Sequence, residues 1–213
     1  MYTGAGELNL SGVLFRGNSA GSSGGAIYRF VDGVVNIQKD DSGNRTVFDH
    51  NYSAGSGGAI YLNSMLKRTS SFNDVIFTGN TAKNNGGAII NTNNGTNVTN
   101  LHISGSTFFE NVAENGNGGA IYNVANAVVV ITDSEFLTSS DTIYNLGNLT
   151  FAGKNTIAAD VTGTGSFTVT GATFNFINSE AIDIAEFTGT AAEMNFSGSA
   201  VNFTNLDLSG VAI

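Results

Sequence analysis

The chain contains no cysteine, and that absence removes disulfides, thiolate metal sites and a cysteine nucleophile together. Basic residues are scarce as well: 8 Lys+Arg stand against 17 Asp+Glu, for a net charge of −9. The eight bases are scattered, and all precede position 155, while Asp160, Glu180, Asp183, Glu186, Glu193 and Asp207 follow it. A surface for nucleic acid or another anionic polymer is therefore excluded. No apolar run approaches the roughly 20 residues a membrane-crossing helix needs, and no basic stretch leading into an apolar one opens the sequence. The end at Val211-Ala212-Ile213 falls in mid-pattern and reads as a segment of a longer protein.

Gly, Asn, Ser and Thr together supply 98 of the 213 residues, a composition poor in helix formers and rich in turn formers. Disorder is excluded by 15 Phe, 6 Tyr and a 41% hydrophobic content, which give enough apolar surface for one core.

The chain repeats. An F-x-x-N tetrad occurs at Phe15 to Asn18, Phe48 to Asn51, Phe77 to Asn80 and Phe108 to Asn111, with starts 33, 29 and 31 residues apart. GGAI follows each one, at Gly24, Gly57, Gly86 and Gly118, after 6, 6, 6 and 7 residues. An apolar-x-apolar segment with a small or acidic bend precedes the Phe, as in Leu101-x-Ile103-Ser-Gly-x-x-Phe108. It recurs before Phe136, Phe174 and Val201, so the same architecture continues without its decorations. The fifth copy runs from Phe136 to Ile143-Tyr144-Asn145 with a shortened Gly-rich insert, and Ile143 lies 22 residues after Ile121.

Alternation within these segments predicts short strands, with Gly, Asn and Asp marking the bends between them. About three strands make one repeat, and such a unit has no core until it coils and stacks on its neighbour. The prediction is an all-β chain, a single-stranded right-handed parallel β-helix of about eight to nine coils, with no helix longer than a turn or two. It forms one domain over 1–213, with decorated repeats over 1–145 and plainer coils over 146–213. Stacking assigns Phe15, Phe48, Phe77, Phe108 and Phe136 to an internal aromatic column. Asn18, Asn51, Asn80 and Asn111 are expected at a bend where left-handed backbone is tolerated, each side-chain amide bonded to the Asn one coil away or to local backbone. Tyr28, Tyr61 and Tyr122, each following the inward Ile, form an outward row, with Ile90 in the third copy.

The paired F-x-x-N and GGA[ILV] motifs resemble the repeats of the polymorphic outer membrane proteins of chlamydiae and related bacterial surface β-helices, over about residues 8 to 145. The resemblance implies an autotransporter-type passenger, exported to the bacterial cell surface or outer membrane or secreted, often adhesive, and followed by a C-terminal outer-membrane β-barrel. Its partner would be a host or neighbouring-cell surface protein or glycan. An uncapped end coil adds the expectation of end-to-end self-association.

A carbohydrate-active enzyme is the alternative, since a β-helix can hold a lyase or hydrolase site. Paired carboxylates or a calcium cluster would be required. The local candidates, Lys39-Asp40-Asp41, Arg45, Asp49 and His50, fall mainly in the stretch from Ile37 to Phe48, 11 positions on, that reads as a solvated loop. His50 and His102 have no partner motif. No catalytic, metal or cofactor residue is therefore assigned. The candidate contact residues are Tyr28, Tyr61, Tyr122, Asp40, Asp41, Arg45, Lys67 and Arg68, with contact loops at Asp40 to Arg45, Leu62 to Ser71 and Asn91 to Asn97.

Overall fold

The computed structural model describes residues 1–4, 6–30, 33–64, 68–93, 99–177, 182–190, 192–197, 201–207 and 211–212, with side-chain detail through residue 170. All regular elements among them are strands, every strand pairing is parallel, and each strand pairs with its equivalent one turn away. The chain is a parallel β-helix.

One wall stacks Gly6–Ser11, Gly33–Gln38, Arg68–Asn73, Thr99–Ser104, Val128–Thr132 and Asn148–Ile157. Period-two alternation turns Val35, Ile37, Phe72, Leu101, Ile103, Val129 and Ile131 inward, where they are buried. A second wall stacks Leu14–Arg16, Thr46–Asp49, Val75–Thr78, Thr107–Phe109 and Glu135–Phe136. Phe15, Phe48, Phe77, Phe108 and Phe136 fall in register there, with successive ring centroids 4.8, 5.0, 5.0 and 4.5 Å apart and planes within 9° of parallel. The last four are fully buried, each side chain contributing roughly 1.5 to 3 kcal/mol. A third wall stacks the Ile of GGAI, Ile27, Ile60, Ile89 and Ile121, and continues through Ile143 and Val161.

A separate sheet of four short strands, Ser19–Ala20, Tyr52–Ser53, Thr81–Ala82 and Val112–Ala113, closes the turn between Phe and GGAI. The full decorated turn with this sheet is thus built about four times, fewer than the eight or nine coils expected. The physical reason is chain length. Phe to the next inward Ile takes 12, 12, 12 and 13 residues in these coils and 7 from Phe136 to Ile143, too few to carry the extra strand and its Gly-rich corner.

The GGAI corner depends on both glycines. Gly57 has φ of 69°, and a Cβ on Gly58 would lie 2.0 Å from the carbonyl oxygen of Gly87 in the next coil. The F-x-x-N corner corrects the expected backbone. Left-handed φ falls on the residue before the Asn, at Gly17 (63°), His50 (51°), Gly79 (60°) and Glu110 (57°), rather than on the Asn. That arrangement leaves the Asn amide pointing along the rod. Asn18 Nδ2 donates to Asn51 Oδ1 (2.8 Å), Asn51 to Asn80 (2.8 Å), and Asn80 to Asn111 (2.9 Å). The backbone N–H of each donor residue reaches the same oxygen at 3.0 to 3.1 Å.

Candidate functional site

With the Phe and Asn columns turned inward, the chemistry available to a partner lies on the outer faces of the coils. Tyr28, Tyr61, Tyr122 and Tyr144 occupy equivalent positions after the inward Ile, because alternation sends the residue after a buried one outward. Tyr28 and Tyr61 stack at 4.7 Å, and Tyr122 and Tyr144 at 5.3 Å. Ile90 fills the rung between the two pairs and is 6% exposed. Partial burial raises the hydroxyl pKa of Tyr61, with Tyr28 adding to it, and raises that of Tyr122, with Tyr144 adding to it. Both rings therefore present neutral hydroxyls. A cleft of about 520 Å³ lies at the first coil, lined by Met1, Ser22, Ser23, Tyr28, Phe30 and Tyr61 among others.

The loop after the second coil's first strand is tied down by its own acid. Asp40 Oδ1 accepts from the backbone of Ser42 (2.9 Å) and Asn44 (2.8 Å), and Oδ2 accepts from Asn44 Nδ2 (2.8 Å). These bonds, the Asn44 side chain first, hold the Asp40 carboxyl below its usual range. Lys39 pairs with Asp74 at 3.0 Å, and Asp41 is exposed. Arg45, expected among the contact residues, is a clamp within the fold. Its guanidinium donates to the carbonyls of Asp74 (3.0 Å), Val75 (3.1 Å) and Gly105 (2.8 Å) and to Thr107 Oγ1 (3.3 Å), spanning two coils. It is the last residue of the loop, directly before the strand Thr46–Asp49, and that brings its fork onto the stacked bends.

The other two expected loops are shorter than predicted. Leu62 lies in the strand Ile60–Ser64 and is 2% exposed, while Arg68 and Ser71 lie in the strand Arg68–Asn73. Arg68 is exposed, and Lys67 lies outside the described residues. Asn91 belongs to the strand Ile89–Asn93 and is buried, with 94–97 outside the described residues.

Asp49 forms an ion cluster on the outer wall, pairing with Arg16 Nε at 2.5 Å and with His50 Nδ1. The His50 bond and then Arg16 hold the Asp49 carboxyl below its usual range. His102 is exposed in the strand Thr99–Ser104, opposite Ser71 and Val130. Among the described residues, no group of three or more His, Asp or Glu side chains is placed to hold a metal.

Two structural rungs escaped the sequence reading. Asn111 Nδ2 donates to Asp141 Oδ1 (2.8 Å), so Asp141 takes the Asn position in the fifth coil; it sits five residues after its Phe instead of three. A second ladder runs Asn91 to Asn123 (3.0 Å) to Asn145 (2.8 Å). The third residue of each Ile-x-Asn triplet was its signal, masked by Arg29 and Leu62 at the same position in the first two coils.

A family model described as the Chlamydia polymorphic membrane protein repeat matches residues 12–28, 45–63, 74–92 and 105–124. Each match covers one decorated coil from the bend before Phe to the residues after GGAI. A curated protein of Escherichia coli strain K12, the probable autotransporter YfaL, is 33% identical over 138 residues, covering 60% of this chain and 11% of that protein. No solved structure matches. The chain carries repeats of the polymorphic membrane protein type.

Proposed function

We infer that this chain, with its polymorphic-membrane-protein repeats and its likeness to a probable autotransporter, is a stretch of autotransporter passenger displayed at the bacterial surface. Its role is adhesive and non-enzymatic. The observation that carries this reading is the division of labour between faces. The repeat markers are spent on the inner columns, and three of the titratable groups outside, Asp40, Arg45 and Asp49, are tied into local structural bonds. The tyrosine row stays on the outer face, as two stacked pairs spaced by the coil repeat. Aromatic faces with neutral hydroxyls suit contact with a sugar ring or a protein surface. The partner proposed is therefore a glycan or protein of a host or neighbouring cell, met by the side of the rod.

Binding of the purified chain to host cells and to a glycan array, run beside a polysaccharide-cleavage screen, tests this. Binding that drops when Tyr28 and Tyr61 are both changed to Ala, with no cleavage, is the expected result. Cleavage abolished by Asp40→Asn, or binding indifferent to the Tyr pair, would contradict it.

A further inference from the structure

The step between the fourth and fifth coils leaves a strand edge without a partner strand among the described residues. Val112–Ala113 ends the four-stranded sheet, paired with Thr81–Ala82 on one side only. The short path from Phe136 to Ile143 bypasses this wall, while the walls through Phe136 and Ile143 continue past it. Val112 N–H donates back to the carbonyl of Asn80 (2.9 Å), whereas the Ala82 carbonyl faces forward and accepts from Glu114 N–H (2.9 Å). Ala113 is the register partner of Ala82, so its N–H and C=O face forward too, onto the bypassed position. Exposure follows: Ala82 is fully buried and Ala113 partly exposed. A cleft of about 380 Å³ lies beside the edge, lined by Val112, Ala113, Gly118, Thr142, Tyr144 and Asp160 among others.

We propose that this ledge takes an extended segment of another polypeptide as a fifth strand of the sheet, with a small side chain over Ala113 and a lysine or arginine next to it. The rod continues on its other walls, so there is room for one extended segment and not for the end of another solenoid. The inward column of the sheet is Ala20, Ser53, Ala82 and Ala113, which fixes a small residue at that position. Outward, Phe109, Val112 and Leu137 are 39%, 38% and 41% exposed around the step and offer apolar contact. Glu110 and Glu114, exposed on either side of Asn111–Ala113 along the chain, and Asp160 in the cleft lining favour a basic segment. Main-chain bonds give such a strand its affinity and the alternate side-chain positions give its selectivity. This pairing is independent of any adhesive role of the tyrosine row.

The probe is a peptide of residues 78–86 of this chain, TGNTAKNNG, which carries Ala82 and Lys83 in a strand that already docks on the forward edge of Tyr52–Ser53, the same kind of edge that Val112–Ala113 offers. Saturable binding to the full chain by calorimetry is expected, with slowed amide exchange at Ala113. Ala113→Pro removes the forward donor and leaves the Val112 bond, and should weaken binding at least about tenfold while circular dichroism stays unchanged. A peptide carrying Ala82→Phe should bind as poorly, and Glu114→Lys in the protein should weaken the basic peptide severalfold. No saturation by about 1 mM peptide, equal binding of the Ala82→Phe peptide, or equal binding of a scrambled peptide would overturn the proposal.

Discussion

Each middle rung of the F-x-x-N asparagine ladder has its hydrogen bonds assigned by the coils on either side. Asn80 Nδ2 donates to Asn111 Oδ1 and to the Phe48 carbonyl, and its Oδ1 accepts from both nitrogens of Asn51. Asn80→Ala strands those groups and should cost about 1 to 3 kcal/mol. In the same series of denaturant melts Phe77→Ala should cost about 3 to 5 kcal/mol through its cavity, and Tyr61→Ala about 1 kcal/mol from one surface stack. Equal losses for Phe77→Ala and Tyr61→Ala would contradict the two faces. Asp141 ends the ladder as a group that only accepts: Asn111 donates to Oδ1, and the N–H and hydroxyl of Thr138 donate to Oδ2. Burial is the largest influence on it and raises its pKa despite these bonds. A carboxyl with a raised folded pKa binds its proton more tightly when folded, so its contribution is present at acid pH and lost as pH rises through the folded pKa. The stability gap between wild type and Asp141→Asn should therefore shift in favour of wild type on acidifying from pH 7 toward the unfolded carboxyl value of about 3.9; a gap independent of pH contradicts the shift. The inward columns were legible in the sequence because a fixed offset survives in every copy. Asp141 was not, because the fifth coil lengthens the Phe-to-rung offset while shortening everything after it.

At the scale of the element, the GGAI corner sets how closely coils approach. A Cβ on Gly87 would meet the carbonyl oxygens of Gly119 at 2.3 Å and Val112 at 2.5 Å, both backbone atoms that cannot swing away. Gly87→Ala should thus cost at the upper end of the about 1 to 3 kcal/mol typical of overpacking, read as a lowered melting temperature. A neutral substitution would mean that the coils are spaced more loosely than the Asn ladder requires. Strand positions and the inward alternation could be read from sequence, since a period of two with a buried face permits one register. Loop extents could not. Leu62 to Ser71 looked like surplus chain because no motif marks it, yet most of it extends the strands on two walls, Ile60–Ser64 and Arg68–Asn73. Arg45 looked like a solvated charge because its acceptors are carbonyls at residues 74, 75 and 105, which carry no sequence signal.

For the whole molecule, the repeat converts a chain with few charges and many small polar residues into a rod whose cohesion is a sum of coil-to-coil contacts. The second sheet accompanies it only where the chain between Phe and Ile is long enough, and this gives the rod a step as well as a length. The central claim is that residues far apart in sequence are held at spacings set by coil count. Leu14 and Glu135 are both exposed on the Phe wall and are joined by the register Leu14, Val47, Ile76, Thr107, Glu135, four coil steps apart. At about 4.8 Å per step, their backbones should lie about 19 Å apart. The chain has no cysteine of its own, so Leu14→Cys with Glu135→Cys permits two clean spin labels. Pulsed electron paramagnetic resonance should then give one narrow distance distribution near that separation, widened only by the label tethers. A broad distribution, or a peak beyond about 35 Å, well above the stacked spacing, would contradict in-register coiling.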